Sequence, residues 1–325
     1  MSMLTRLDRA ATTVYEVMEA TPQRRWPLLD ARCGTAVWVK HENETPVGAF
    51  KVRGGLVYFE HLRRAVPAVK GVVAATRGNH GQSVAFAAAR HSIPATVVVP
   101  HGNAVGKNRA IQAFGAELIE RGADFQAALE AAAVIASDRG WHMVPSFDTR
   151  LVDGVASYAL ELFRAVSHLD YLYVPIGLGS GICGAIAARD ALGLSTRIVG
   201  VVSSAAPAYA RSLELGRAVS WDATTRIADG MACRTPVPEA LSIIGRGAER
   251  IVEVTDDEIE SAMRVIFADT HHVAEGAGAA AVAAVLNDRD LLRDRAVAVV
   301  LSGANVDPAP FGRVLLAEKA GVTPE

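Results

Sequence analysis

The residue in this chain best suited to covalent chemistry is Lys51, in the stretch Ala49-Phe50-Lys51-Val52-Arg53-Gly54 that follows a turn at Pro46 and Gly48. Apolar neighbours strip water from its ammonium group. Burial favours the neutral amine, the form that attacks a carbonyl carbon. Three other segments could serve that amine. Thr76-Arg77-Gly78-Asn79-His80-Gly81-Gln82 follows the apolar run 72–75 and opens a helix. Amides at the positive end of a helix dipole bind a carboxylate or a phosphate, and Thr76, Asn79 and Gln82 add side-chain donors. Taken alone, the segment also reads as an ordinary helix start capped by Asn79. Pro175-Ile176-Gly177-Leu178-Gly179-Ser180-Gly181-Ile182-Cys183-Gly184 carries glycines at alternate positions ahead of another helix. Its N–H groups can turn inward around a phosphate. The spacing is not that of a dinucleotide fingerprint, and the Gly-Lys-Ser/Thr ending of an ATP loop is missing. The phosphate therefore belongs to neither NAD nor ATP. Ser302, in Ser302-Gly303-Ala304-Asn305-Val306-Asp307, presents a hydroxyl at the end of the run 297–301; by itself it reads as a helix cap.

These segments share a position, just after short apolar runs. Runs of this kind at 36–39, 72–75, 95–99, 117–119, 142–144, 171–174, 197–202, 251–254 and 297–301 read as strands. Helical patterns fall at 6–18, 56–64, 81–90, 107–114, 125–138, 155–167, 181–192, 256–269, 277–286 and 311–319. Near-continuous apolar strands alternating with helices predict an α/β protein with mainly parallel sheets covered on both faces, here in two lobes. Ligands of such sheets gather beyond the carboxyl ends of the strands. The glycine- and proline-rich stretch 212–250 interrupts the rhythm and reads as a long connection that lines a site.

Length and composition narrow the function classes. At 325 residues, half of them hydrophobic and with a formal net charge of −2, the chain offers no electrostatic footprint for nucleic acid or an anionic membrane. Arg63, Arg64 and Lys70 read as a solvated helix end. Cys33, Cys183 and Cys233 are odd in number and lack zinc spacing, which predicts a reducing, cytoplasmic setting. Arg6, Asp8, Arg9 and Glu16 interrupt any apolar leader core, and no membrane span is expected.

In their order and motifs, the four segments resemble the serine/threonine dehydratase family of fold-type II pyridoxal-phosphate enzymes, over essentially the whole chain. The resemblance implies the tryptophan synthase β-like fold. Residues 1–70 and 149–325 would form a large cofactor-binding domain, and 71–148 a small domain carrying the substrate-carboxylate loop. Lys51 matches the Schiff-base lysine and catalytic base. Phe50, Lys51, Asn79, Gly177, Leu178, Gly179, Ser180, Gly181 and Ser302 would contact pyridoxal 5'-phosphate. Asn79 would face its phenolic oxygen and Ser302 its pyridine nitrogen. Thr76, Arg77, Gly78, Asn79, His80 and Glu275 would face the substrate. Three departures stand out. Leu178 and Ser180 replace glycines of the phosphate loop, and the Ser180 hydroxyl can itself donate to the phosphate. Arg77 stands where relatives carry a serine, the second base of those that racemise; an arginine stays protonated, so racemisation is disfavoured. Gly154-Val155-Ala156-Ser157 replaces Gly-Gln-Gly-Thr and is expected to reshape the floor of the site.

The implied reaction is β-elimination of water from a β-hydroxy L-amino acid, L-threonine or L-serine by default, giving a 2-oxo acid and ammonia in amino-acid catabolism. Alternative substrates are 3-hydroxyaspartate, whose carboxylate Arg77 could pair with bidentately, and phenylserine, if Val155, Ala156 and the 231–233 stretch leave room. No regulatory domain is expected after Ser302, hence no isoleucine feedback through one. No metal ligand set is assigned. Asp229 is the one candidate for a divalent cation, with Thr225 standing where an acidic partner is usual. His271 and His272 read as a helix end. A homodimer is expected, with no nucleic-acid partner.

Overall fold

The computed structural model describes residues 1–317. Positions 318–325, including the end of the expected helix 311–319 and of the expected large domain, lie outside the described residues. The chain opens with α1 (Met3–Tyr15), β1 (Gln23–Arg25), α2 (Pro27–Cys33), β2 (Ala36–His41) and α3 (Lys51–Ala65). It continues through β3 (Val72–Ala75), α4 (Asn79–Arg90), β4 (Ala95–Val99), α5 (Val105–Ala113), β5 (Glu117–Glu120), α6 (Phe125–Arg139) and β6 (His142–Met143). Then follow α7 (Thr149–Ala165), β7 (Tyr171–Pro175), α8 (Ser180–Ala191), β8 (Arg197–Ser203), α9 (Ala208–Glu214), α10 (Pro238–Gly247) and β9 (Arg250–Val254). α11 (Asp256–Thr270), α12 (Gly276–Asn287), β10 (Ala296–Leu301) and α13 (Pro308–Leu316) complete it.

Two sheets result. One runs β1-β2-β10-β7-β8-β9 and the other β5-β4-β3-β6. Every pairing is parallel except β1 with β2. The order brings β2, β10 and β7 side by side, so the segments after them, which hold Lys51, Ser302 and Gly177, open at one carboxyl edge. The segment after β3 faces them from the second sheet.

Apolar helices seal both faces of the larger sheet. On one side α7 and α8 bury Leu160, Ile182 and Ala185; on the other, α11 and α12 bury Ile259, Met263 and Val282. α12 is almost wholly alanine, glycine and valine and is buried all round, as a core helix must be. Each fully buried leucine or valine contributes about 1.5–3 kcal/mol.

Two features fix the start of α3. α3 and α7 cross with backbones in contact: a Cβ on Gly154 would lie 2.3 Å from the Arg53 carbonyl, and one on Gly54 2.8 Å from that of Leu151. Arg53 is fully buried. Its Nε donates to Glu42 Oε2 at 2.7 Å and its Nη1 to Glu161 Oε1 at 2.6 Å, while Lys40 Nζ donates to Glu161 Oε2 at 2.6 Å. Burial opposes the Arg53 charge, but the two carboxylates outweigh it and raise its pKa. Two cations and two anions cancel there, so losing any one would leave a buried charge uncompensated, at about 3–5 kcal/mol.

Several expectations need correction. Residues 154–157 lie inside α7 rather than on the site floor; Ser157 Oγ accepts from Arg53 Nη1 at 2.9 Å. The first helix starts earlier than expected because Ser2 caps it, accepting from the Thr5 amide. Pro27 occupies the first turn of α2, a helix absent from the expected set, where a missing N–H costs nothing. The stretch 212–250 includes α10, also begun by a proline.

Candidate active site

A cavity of about 440 Å³ lies between the sheets, lined by Phe50, Lys51, 75–80, Lys107, Ser146, 177–181, 222–224, 229–235, Glu275 and Ser302 among others. The structure thus brings together every residue that the resemblance placed at the cofactor or the substrate. Gln82 is not among the lining residues, nor are Val155 and Ala156, whereas Met231, Ala232 and Cys233 are.

Lys51 is the first residue of α3. The loop before it is tied to the end of β10, since the Phe50 amide donates to the Ser302 carbonyl and Ala304 N to Gly48 O. Its Nζ lies 4.9 Å from the Phe50 ring centre and donates to Ser180 Oγ at 3.1 Å. Burial alone pulls its pKa from 10.5 to about 8. No carboxylate pairs with it among the described residues, so nothing restores the charged form.

Close approach demands glycine at 177 and 179. A Cβ on Gly177 would lie 2.3 Å from the Gly230 carbonyl, and one on Gly179, where φ is +96°, 2.8 Å from Ala240 Cβ. The hydroxyls of Tyr209 and Tyr158 donate to the carbonyls of Leu178 and Gly181 at 2.9 and 2.8 Å. With those carbonyls held, the first amides of α8, which have no partner within the helix, are left for a ligand. Ser302 Oγ lies 3.5 Å from the Ala277 carbonyl, a weak contact that leaves the hydroxyl adaptable.

The opposite wall is polar. Thr76 Oγ1 accepts from the amides of Gly78 and Gly81 at 2.9 and 3.2 Å, so it shapes the loop. Gly78, with φ +147°, admits Lys107 alongside it: a Cβ there would lie 2.2 Å from Lys107 Cδ. Asn79 caps nothing. Its Nδ2 donates to Glu275 Oε1 at 2.5 Å and its Oδ1 accepts from Asn305 at 3.0 Å. Lys107 Nζ stands 2.7 Å from Asp229 Oδ2 and 2.8 Å from Glu275 Oε2. Burial opposes the Lys107 charge, but Glu275 and Asp229 together hold its pKa above the usual lysine range. Burial lifts the Glu275 carboxyl above its own. Asp229, the candidate metal ligand, is thereby the partner of Lys107, and the Thr225 hydroxyl donates to Asp256 instead. Arg77 is exposed on the rim and has no ion-pair partner among the described residues. His271 ends α11 in a left-handed conformation. Lys107 and Ser146 escaped the sequence reading.

Residues 14–303 match the family described as pyridoxal-phosphate dependent enzyme. The chain belongs to that family. The L-threonine ammonia-lyase of Thermotoga maritima is 32% identical over 310 residues, 95% of this chain and 77% of that protein. The biosynthetic L-threonine dehydratase of Salmonella typhimurium is 33% identical over 297 residues; the match spans 90% of this chain but only 58% of that longer protein. Among solved structures, a threonine deaminase from T.th. is 31% identical with a TM-score of 0.87, covering 94% of this chain and 99% of that one. A pyridoxal 5'-phosphate-dependent aspartate racemase is 26% identical with a TM-score of 0.89, covering 95% and 98%. The fold is that of the fold-type II enzymes.

The residues present fit pyridoxal phosphate. An amine prone to neutrality, the open first amides of α8 beside the Ser180 hydroxyl, and a hydroxyl rather than a carboxylate at 302 are groups that would suit its aldehyde, phosphate and ring nitrogen in turn.

Proposed function

We propose that the protein removes water from a small β-hydroxy L-amino acid, threonine or serine, releasing a 2-oxo acid and ammonia. One observation carries this: an amine that loses its proton near neutral pH stands beside the glycine cradle, 3.1 Å from Ser180 Oγ. Bound pyridoxal phosphate supplies the electron sink for the α-carbon. Lys51 holds the cofactor and, once released, takes the α-proton. The α8 amides and Ser180 bind the phosphate. Asn79, fixed between Glu275 and Asn305, would hold the ring, and Ser302, a hydroxyl rather than a carboxylate, would leave the ring nitrogen uncharged, which favours elimination over transamination. The 76–80 loop receives the substrate carboxylate, and Lys107 pairs with Glu275 behind it.

The division into 1–70 with 149–325 and 71–148 is part of this reading: cofactor on one unit, carboxylate loop on the other. A second substrate, 3-hydroxyaspartate, is favoured by the unpaired Arg77 on the rim. Phenylserine finds less support, since Val155 and Ala156 are not part of the cavity wall. Three buried, unbridged cysteines support a reducing, cytoplasmic setting; the homodimer is tested by light scattering. No helix among the described residues is long and apolar enough to cross a membrane. The deciding experiment scores serine, threonine, 3-hydroxyaspartate and phenylserine for 2-oxo acid formation. Formation from threonine or serine supports the proposal, and formation from none of the four overturns it.

A further inference from the structure

One side chain outside the cavity wall touches both halves of the site. Asn305 follows β10 and is not among the cavity's lining residues. Its Nδ2 donates to the Val47 carbonyl at 2.8 Å, in the loop that delivers Lys51, and to Asn79 Oδ1 at 3.0 Å, at the start of α4. A Cβ on Gly48, where φ is +68°, would lie 2.8 Å from Asn305 Oδ1, so glycine there lets the side chain lie against the loop. Which way each amide is turned follows from its partners. The Val47 carbonyl has no hydrogen to give, so Asn305 presents its nitrogen to it. Both hydrogens of that nitrogen are then used, one on Val47 and one on Asn79.

The amide of Asn79 is thereby held at both ends. Its Nδ2 donates to Glu275 Oε1 at 2.5 Å and its Oδ1 accepts from Asn305. Turned over, it would set carbonyl oxygen against carboxylate and N–H against N–H. Glu275 alone does not bar that turn, because a protonated carboxyl group can donate to a carbonyl just as a carboxylate accepts from an amide. Asn305 Nδ2 can only donate, so it decides the sense. A primary amide nitrogen carries two hydrogens, and Glu275 takes one. No protein acceptor takes the second among the described residues. Glu275 lines the cavity and Asn305 does not, so the nitrogen end is the one held at the cavity wall. The ionised phenolic oxygen of pyridoxal phosphate only accepts, and this N–H is what Asn79 can offer it. We infer that Asn305 is a positioning residue, locking the Asn79 amide so that its free N–H stays on the Glu275 side and serves the cofactor's phenolic oxygen. This rests on the proposed placing of Asn79 at the ring and adds the residue that orients it.

The test is a double-mutant cycle on cofactor affinity, read from the visible absorption that cofactor-free protein gains on titration with pyridoxal phosphate. Asn305→Leu, close in shape to asparagine but with no hydrogen to give, should weaken binding about tenfold. In an Asn79→Ala background the same change should alter affinity about twofold or less, since the residue it acts through is gone. A loss of equal size in both backgrounds would overturn the inference, because the bond to Val47 survives Asn79→Ala and would then carry the whole effect. A second readout needs no variant. In protein labelled with ¹⁵N-asparagine, pyridoxal phosphate should move one side-chain amide proton of Asn79 downfield and leave the other, held by Glu275, nearly in place. An Asn79 pair that does not respond would overturn the inference as well. Affinity is measured without turnover, so elimination can fail while the contact holds. A non-additive cycle in a protein that forms no 2-oxo acid would overturn the proposed elimination and leave the role of Asn305 standing. An additive cycle in an active enzyme would do the reverse.

Discussion

On the larger sheet's side of the cleft, backbone meets backbone at Gly177 on Gly230 and at Gly154 on Arg53 and Gly54, while Gly179 packs on the Ala240 methyl. Across the cleft, position depends on a few charged and polar contacts instead. Lys107 reaches Asp229 and Glu275, Asn79 reaches Glu275 and Asn305, and Asp307 accepts from the amides of Val105 and Gly106 at 3.0 and 2.8 Å. Close-packed contacts have one solution and do not slide. Polar contacts can open and re-form at modest cost. On the proposed reading, the cofactor and reactive amine belong to the close-packed wall, and the substrate's carboxylate to the wall held by polar contacts.

Damage to the first wall should abolish chemistry or folding. Lys51→Ala should lower turnover on the order of 10³-fold or more and remove the visible absorption of bound cofactor; retained activity would break the assignment. Gly154→Val should destabilise by about 3 kcal/mol through overpacking against α3, read as a lower Tm; an unchanged Tm would show the crossing to be looser than described. Damage to the second wall should spare the cofactor. Lys107→Met leaves the buried Glu275 carboxylate facing the half-buried Asp229 with no cation between them, so KM for the amino acid should rise about tenfold with cofactor affinity unchanged. That defect should shrink as pH falls, because protonation of Glu275, whose pKa is raised, removes one of the charges. A matching loss of cofactor affinity would erase the distinction between the walls.

The pH dependence of cofactor capture sharpens the same point. The neutral amine reacts, and the Lys51 pKa is lowered to about 8. The capture rate by cofactor-free protein should therefore be level above pH 8 and fall about tenfold per unit below it; a rate still rising towards pH 10 would indicate an ordinary lysine. The smallest effect expected is from Asp307→Ala, which removes a carboxylate from the α5 N-terminus at about 1 kcal/mol, seen as a rise in KM without loss of turnover.

Much of this was legible in the sequence because it is local. Strand 72–75 and the helix after it follow from consecutive residues, as do the glycine alternation at 177–181 and the apolar setting of Lys51. The rest depends on partners far apart in the chain. Nothing near Lys107 signals that its ammonium meets residues 229 and 275, and the Arg53 pairing with Glu161 spans 108 residues. The short β1 pairs antiparallel over three residues, too few for alternation to register. Residues 154–157 misled for the same reason: their effect on the site passes through contact with α3, which only the tertiary structure shows.

The central claim concerns one nitrogen. The cofactor-loaded protein is reduced with borohydride, digested, and the pyridoxyl group located by mass spectrometry. The group should sit on Lys51 in stoichiometric yield; finding it on Lys40 or Lys107, or on no lysine at all, would contradict the account.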